Sequence, residues 1–366
     1  MNLSRTWLRP VVAALFVVGL SAGLTTPAGA SAAPSTAVDP TSLPTGAAPG
    51  IAWVRGKTLI QPQRPNIALH GPNPQAFLHA KGGYVVESIK DAGVRHRLLF
   101  VSYAGKSRVI ATKSAYAADI VSANGRWLIL SSDVDATGVA RKQHVRIVRI
   151  SDGRTVATRT FPGRSNVMAA GKGKILVHES TRTVSWDVAH RRVSVLAKTA
   201  APARLETTIA LPASFGAKLF VARSGRKDQV RRLGDHRLLW RTSTDEYVLS
   251  FSPDDRRVVT ATNLTSEGAP WPAAQVLRVR SARTGRVLRE FSGSFGIERG
   301  VQPVWEDSDA LLLHVGGKGV PVDPEGDIGY PDKSLVRCTT STGACDLVAN
   351  LRLYGVPVTF MQHKSN

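Results

Sequence analysis

Two cysteines in 366 residues exclude a disulfide-rich scaffold and a cysteine-based zinc module. Aromatic residues make up 6% of the chain, and acids are scarce, with 27 Asp+Glu against 48 Lys+Arg, a formal net charge of +21. At 43% hydrophobic and 20% charged, the composition nevertheless excludes wholesale disorder. Long apolar runs are missing beyond the first 30 residues, which excludes a polytopic membrane protein. Helical periodicity is nearly absent throughout, so bundles and doubly wound α/β folds are excluded. No G-x-S-x-G elbow, H-E-x-x-H pair or repeated S-x-D-x-G-x-x-W box occurs, and the nine histidines stand at no metal-ligand spacing.

What is present begins with a processing signal. Arg5 and Arg9 precede an apolar run from Val11 to Leu24, and Ala28-Gly29-Ala30 supplies a small-x-small cleavage motif. At 14 residues the run is shorter than the roughly 20 needed to span a bilayer, so residues 1–30 read as a secretory signal peptide, with no membrane span after cleavage. Their removal takes away two arginines and no acid, leaving +19. Residues 31–50, rich in Ala, Pro, Ser and Thr, read as a flexible leader, and 51–366 as one domain. The destination is extracellular or on the cell wall. Export turns the basic balance away from nucleic acid and toward wall polymers, lipid headgroups and acidic glycans. Arginine over lysine, 34 to 14, together with abundant alanine and valine, fits a GC-rich actinobacterial genome.

Self-similarity sets the architecture. Six segments share an alternating apolar run, a turn rich in Gly, Asp or Ser, and a second alternating run. They begin at Leu98, Arg146, Thr183, Gln229, Val276 and Leu335, and each reads as a β-hairpin. A further strand-turn-strand element precedes each hairpin, and the unit recurs every ~40 to 50 residues, the period of a four-stranded propeller blade. Three short strands in 51–69 make part of a seventh blade, and the apolar stretch YGVPVTFM from Tyr354 is the candidate for its innermost strand. The expected fold is therefore an all-β, seven-bladed β-propeller of four-stranded blades, its ring closed by strands from both termini. The 336 mature residues give 48 per blade.

FSPDDRRVV from Phe251 resembles the strand-turn-strand signature of WD-repeat and TolB-like propellers, with Asp255 in the slot usually taken by glycine. SWDV from Ser185 carries the Trp-Asp pair as Trp186 and Asp187, in one repeat only. The whole mature chain, including the WVRGKTL start and the Cys338 to Cys345 hairpin, looks like secreted actinobacterial WD-repeat-like propellers. The Gly-His dipeptides of classical WD repeats are absent, so partner roles known for those proteins are not carried over.

Cys338 and Cys345 flank the turn of the last hairpin, and in an exported chain they are expected to form a disulfide. Long connections between second and third strands occur at 133–143, 263–274 and 316–333, all on one propeller face. Arg141, Glu267, Trp271, Asp323, Asp327 and Tyr330 on these loops are the candidate binding residues. Asp133, Asp135 and Thr137 resemble the start of a calcium loop, but His144 occupies the position of the bidentate glutamate. Calcium is the one ion the sequence offers, and otherwise no cofactor is expected. Gly105-Lys106-Ser107 lacks the upstream glycine of a phosphate loop and reads as a hairpin turn.

These readings make the chain a secreted, monomeric, non-catalytic binding or scaffold module for a protein, peptide or glycan, with no nucleic-acid partner. The first alternative is an extracellular polysaccharide lyase or hydrolase at the channel mouth, which converging carboxylates or a His/Tyr/Arg group would favour. The second is electrostatic attachment to anionic wall polymer or lipid. It draws on residues 141–160, 182–198, 226–241 and 276–291, which carry +16 of the surplus on predicted outer strands.

Overall fold

The computed structural model describes residues 32–70, 74–90, 95–114, 118–133, 142–162, 165–179, 181–198, 211–262, 275–295, 303–316, 333–351 and 358–360. The regular structure is all β. Alternation sets the inward face of each strand, as in Lys142–Arg149, where Gln143, Val145 and Ile147 are buried while Lys142 and His144 face solvent.

The strands form a β-propeller of up-and-down sheets. The first sheet pairs Val358–Phe360, Trp53–Arg55, Thr58–Ile60 and Ile67–Ala68 in that order. The second runs Pro74–Ala80, Gly83–Lys90, Arg95–Ser102, Ser107–Ser114, and the third Ala118–Val121, Trp127–Asp133, Lys142–Arg149, Thr155–Pro162. The fourth runs Asn166–Gly171, Lys174–Glu179, Arg182–Asp187, Arg192–Lys198, and the last Val304–Trp305, Ala310–Gly316, Lys333–Thr339, Cys345–Leu351. Between them in sequence lies a nine-stranded sheet, in which Ala213–Ser214, Leu219–Ser224, Lys227–Arg232 and Leu238–Arg241 are joined to Glu246–Phe251, Arg257–Thr262, Gln275–Ser281 and Val287–Gly293.

Two expectations are corrected. Instead of seven separate four-stranded blades, five stand alone, because a parallel bridge between Lys227 and Glu246 merges the strands of 213–293 into one sheet. The segment 31–50, expected as a structureless leader, contains the ninth strand of that sheet. Ser35–Val38 pairs in parallel with Glu290–Gly293, and Val38 is buried against Phe291 and Phe295. Beyond it, Leu347 N–H donates to Pro44 O at 2.8 Å and Gly46 N–H to Leu347 O at 2.7 Å, so the leader straps the outer strands of two neighbouring sheets. At the other end, Val358–Phe360 pairs antiparallel with Trp53–Arg55, with Phe360 opposite Trp53.

The core lies between sheets. Val54, Leu59, Phe77 and Tyr84 pack the first against the second, and Leu78, Leu98, Leu128 and Val148 the second against the third. Ile129, Ile147, Val177 and Trp186 join the third to the fourth. Ile51 and Trp53 meet Leu312 and Leu335 of the last sheet. A clasp recurs at the outer edge, where a fourth-strand side chain donates to a carbonyl at the next third-to-fourth turn. The pairs are Arg108 to Ile150 O, Arg159 to Arg191 O (3.1 Å), Trp240 to Ala282 O (2.9 Å) and Arg289 to Ser341 O (2.7 Å). Among the described residues no helix is long and apolar enough to cross a membrane.

Candidate functional site

The first two sheets enclose a solvent-open cleft of about 260 Å³ lined by Gly50, Ile51, Ala52, Pro62, Gln63, Arg64, His79, Tyr84 and Tyr103. His79 lies near the end of one strand and Tyr84 near the start of the next, so the tight turn at Lys81 and Gly82 holds both at one edge of the second sheet. Tyr103 follows the third strand at the same edge. Gln61 to Asn66, the third-to-fourth turn of the first sheet, lie across from it.

That turn is built to hold Arg64. Gln63 adopts a left-handed φ of 61°, an uncommon conformation for a residue with a long side chain. Arg64 N–H donates to Gln61 O at 3.3 Å, and the Gln61 side-chain amide donates to Pro65 O at 2.6 Å. Gln61 is 3% exposed, and its Oε1 has no hydrogen-bond partner among the described residues. The Arg64 guanidinium carbon lies 3.8 Å from the centroid of the Tyr103 ring, inside cation–π range. Stacking fixes the plane of the fork and leaves its N–H edge to serve a ligand.

Tyr103 is held from the other side as well. Its hydroxyl lies 2.8 Å from His79 Nε2, and Tyr84 packs edge-on to its ring at 5.5 Å, with an interplanar angle of 80°. Burial, aided by the charge of Arg64, pulls the His79 pKa below the ordinary imidazole value, so the ring is neutral at neutral pH. Burial and the neighbouring Tyr103 push the Tyr84 phenol up, partly opposed by Arg64. Among the described residues no carboxylate lines the cleft and none is paired with Arg64. The site therefore presents one fixed positive charge, neutral hydrogen-bonding groups, and an apolar floor of Ile51, Ala52 and Pro62.

Of the residues nominated from sequence, Asp135, Thr137, Arg141, Glu267, Trp271, Asp323, Asp327 and Tyr330 lie outside the described residues. Asp133 ends the strand Trp127–Asp133, opposite Gln143. Among the described residues no three His, Cys, Asp or Glu side chains are grouped to hold a metal. Cys338 and Cys345 are cross-strand partners with Cα atoms 4.2 Å apart and form the expected disulfide. Gly105 sits in a hairpin turn at φ 82°, its N–H donating to Ser102 O at 2.8 Å, as read for Gly105-Lys106-Ser107. Asp255 occupies a glycine-like conformation at φ 61° and accepts from Ser214 Oγ.

The cleft residues Arg64, His79, Tyr84 and Tyr103 went unnoticed in the sequence. They are spread over about 40 positions in two sheets with no shared motif, and only the unusual richness of 61–66 in Pro and Gln marked the turn. The cleft also lies at the opposite strand ends from the second-to-third connections that the sequence nominated, since antiparallel strands place alternate connections at opposite edges.

No protein family model matches the chain, and no curated protein matches it. Solved structures do resemble it. An uncharacterized protein from Listeria monocytogenes EGD-e is 13% identical, with a TM-score of 0.46, over 84% of this chain and 86% of that one. A chain of the mitotic checkpoint complex is 11% identical, with a TM-score of 0.47, over 76% and 84%. The dihydro-heme d1 dehydrogenase NirN, in complex with DHE, is 14% identical, with a TM-score of 0.45, over 85% and 75%.

Proposed function

We propose that the chain is a secreted, non-catalytic binding module of the WD-repeat and TolB-like kind, acting as residues 31–366 outside the cell. The observation that carries this reading is the cleft at Arg64, Tyr103 and His79. It is open to solvent, rigidly braced and charged, whereas the buried carboxylates described elsewhere are committed to holding strands. Asp228 accepts from Arg223 at 2.8 Å and from Val248 N–H at 2.8 Å. Glu246 accepts from Arg280 at 2.8 Å and from Thr260 at 2.6 Å.

The scaffold we infer is a ring of seven repeats, with the nine-stranded sheet counted as two bridged blades plus the strap. Three observations support it. A left-handed residue recurs in seven third-to-fourth turns, at Gln63, Gly105, Gly153, Arg191, His236, Gly285 and Gly343. First strands neighbour one another in chain order from Val358–Phe360 through Pro74–Ala80 to Glu246–Phe251. The packing of Ile51 and Trp53 on Leu312 and Leu335 joins the last sheet to the first. A seam made by strands from both ends leaves fewer open edges.

The test is a binding screen of the mature chain against glycans, wall polymers and peptides, with Arg64→Gln and Trp271→Ala beside it. Saturable binding lost in either variant, with the fold intact, supports the reading, and absence of any ligand contradicts it. A second reading, an extracellular lyase acting on acidic sugar polymers, is favoured by the His79 to Tyr103 hydrogen bond beside Arg64, because a neutral imidazole is competent to take a proton. Release of an unsaturated product, followed by ultraviolet absorbance, would decide for it. A flat trace with retained binding leaves the module non-catalytic.

A further inference from the structure

We infer that the face carrying the first-to-second turns holds a docking track for a linear anionic polymer, its charge carried on repeated carboxylates or phosphodiesters. The inference goes beyond the cleft at Arg64 and does not rest on it. Four successive first-to-second turns each present an exposed basic side chain and no acid, namely Lys81, Arg126, Lys172 and Lys218. Among the described residues none of the four forms an ion pair. The turns are linked in series. Lys81 N–H donates to Gly125 O at 2.9 Å, Ala123 N–H donates to Ala170 O at 2.7 Å, and Gly171 lies against Phe215. The four residues therefore follow one another along a continuous arc, from the second sheet to the first strands of the nine-stranded one. Farther out, Arg154 and Arg191 stand on third-to-fourth turns of the third and fourth sheets. Of the acids beside them, Asp152 is matched by Arg149 at 2.9 Å, and Asp187 has Lys174 and Arg192 as its cross-strand partners.

Backbone conformation argues that these side chains serve contact and not the fold. Lys172 (φ 50°), Arg191 (φ 55°) and Lys218 (φ 56°) hold left-handed backbone, which Gly82, Gly125 and Gly153 supply in neighbouring turns. A side chain at such a φ costs free energy that glycine would not. All three are exposed, and among the described residues none makes a side-chain hydrogen bond, so no contact within the fold accounts for the basic group.

A chain fits this arc better than a plane. Beyond Lys218 the corresponding turns at 252–256 and 306–309 carry Asp254, Asp255, Asp307 and Asp309 against Arg256. An anionic bilayer laid flat on this face would meet those acids, whereas a polymer can follow the basic part alone. The exposed large apolar side chains are Val109, Val156 and Val195 on outer strands, so among the described residues the turns offer no exposed aromatic anchor for a membrane interface. Repeated oxyanions match fixed ammonium and guanidinium groups one by one. Each such contact releases a counterion, which makes affinity steeply dependent on salt.

Calorimetric titration of the mature chain tests this with polygalacturonate, poly(glycerol phosphate), neutral dextran and phosphatidylglycerol vesicles. One or both anionic polymers should bind, the tighter of them assigning the oxyanion, with affinity falling at least tenfold between about 50 and 200 mM salt. The triple variant Lys172→Gly, Arg191→Gly, Lys218→Gly should weaken binding tenfold or more while its thermal midpoint holds or rises, because glycine accepts the left-handed backbone. Lys81→Gln with Arg126→Gln, which leaves those positions alone, should weaken binding several-fold. Arg64→Gln should change it less than twofold. Binding unchanged in both arc variants would overturn the inference, as would equal binding of dextran or tighter binding of the vesicles than of either polymer. Binding lost only in Arg64→Gln would overturn the track and leave the cleft reading standing. If neither polymer binds at 50 mM salt the inference fails, and the cleft is then judged by its own screen.

Discussion

His178 shows how one half-buried group couples this fold to pH. It lies on the second strand of the fourth sheet, with Nδ1 3.1 Å from Thr183 Oγ1. Burial, reinforced by the Arg223 charge, lowers its pKa from 6.5 to about 4. Because the folded value lies below the unfolded one, the unfolded chain takes up the proton first as pH falls. The stability contributed is complete above pH 6.5 and is lost progressively toward pH 4, about 2 to 3 kcal/mol in all. Urea unfolding at pH 7.5, 5.5 and 4 should reveal that loss, and His178→Gln should flatten it. Glu246 acts in the same direction at lower pH. Although burial alone would raise its pKa, Thr260 and Arg280 outweigh it and hold the carboxyl below the ordinary range. Glu246→Ala would strand Arg280 beside an empty, buried site and should cost about 3 to 5 kcal/mol in denaturant unfolding.

At the scale of elements, the strap and the clasps carry the account. Arg337 joins three segments. It pairs with Glu306 and, at 3.0 Å, with Asp346, and it donates to Ala47 O at 3.2 Å and Ala48 O at 3.0 Å. Deleting residues 31–48 should therefore lower the unfolding midpoint and expose the outer strand Cys345–Leu351 to proteolysis, read by limited trypsin digestion. Reducing the Cys338 to Cys345 bond should cost about 2 kcal/mol, the small value expected for so short a loop.

The hairpins were legible in the sequence because alternation and turn residues are local. RIVRISDGRTVATRT from Arg146 falls on the paired strands Lys142–Arg149 and Thr155–Pro162. The merger of the strands of 213–293 was not legible, since it depends on one bridge between Lys227 and Glu246. Nor was the strap, because STAV at 35–38 is too short to separate from its Ala- and Pro-rich surroundings. The cleft was hidden for a related reason: stacking of Arg64 on Tyr103 is a relation across two sheets that no spacing encodes.

For the whole molecule, the charge surplus is the feature that the structure reinterprets. Arginines on the outer strands, read from sequence as a basis for electrostatic attachment, include Arg159 and Arg289, which spend donors on carbonyls of the next sheet, and Arg278 and Arg280, which pair with Glu290 and Glu246. Arg159 and Arg289 thus brace neighbouring sheets and Arg278 and Arg280 are matched by acids of their own sheet, and attachment of the remaining charge to anionic wall polymer should be lost at moderate salt. The cleft lies at the other strand ends from the long second-to-third connections, which makes the binding face the central question. Hydrogen–deuterium exchange of the mature chain with and without a ligand identified in the binding screen answers it directly. The account predicts slowed exchange in peptides covering 50–52, 61–66 and 79–84 and the turn at 102–106. Slowing confined to 263–274 and 317–332, with the cleft peptides unchanged, would contradict it.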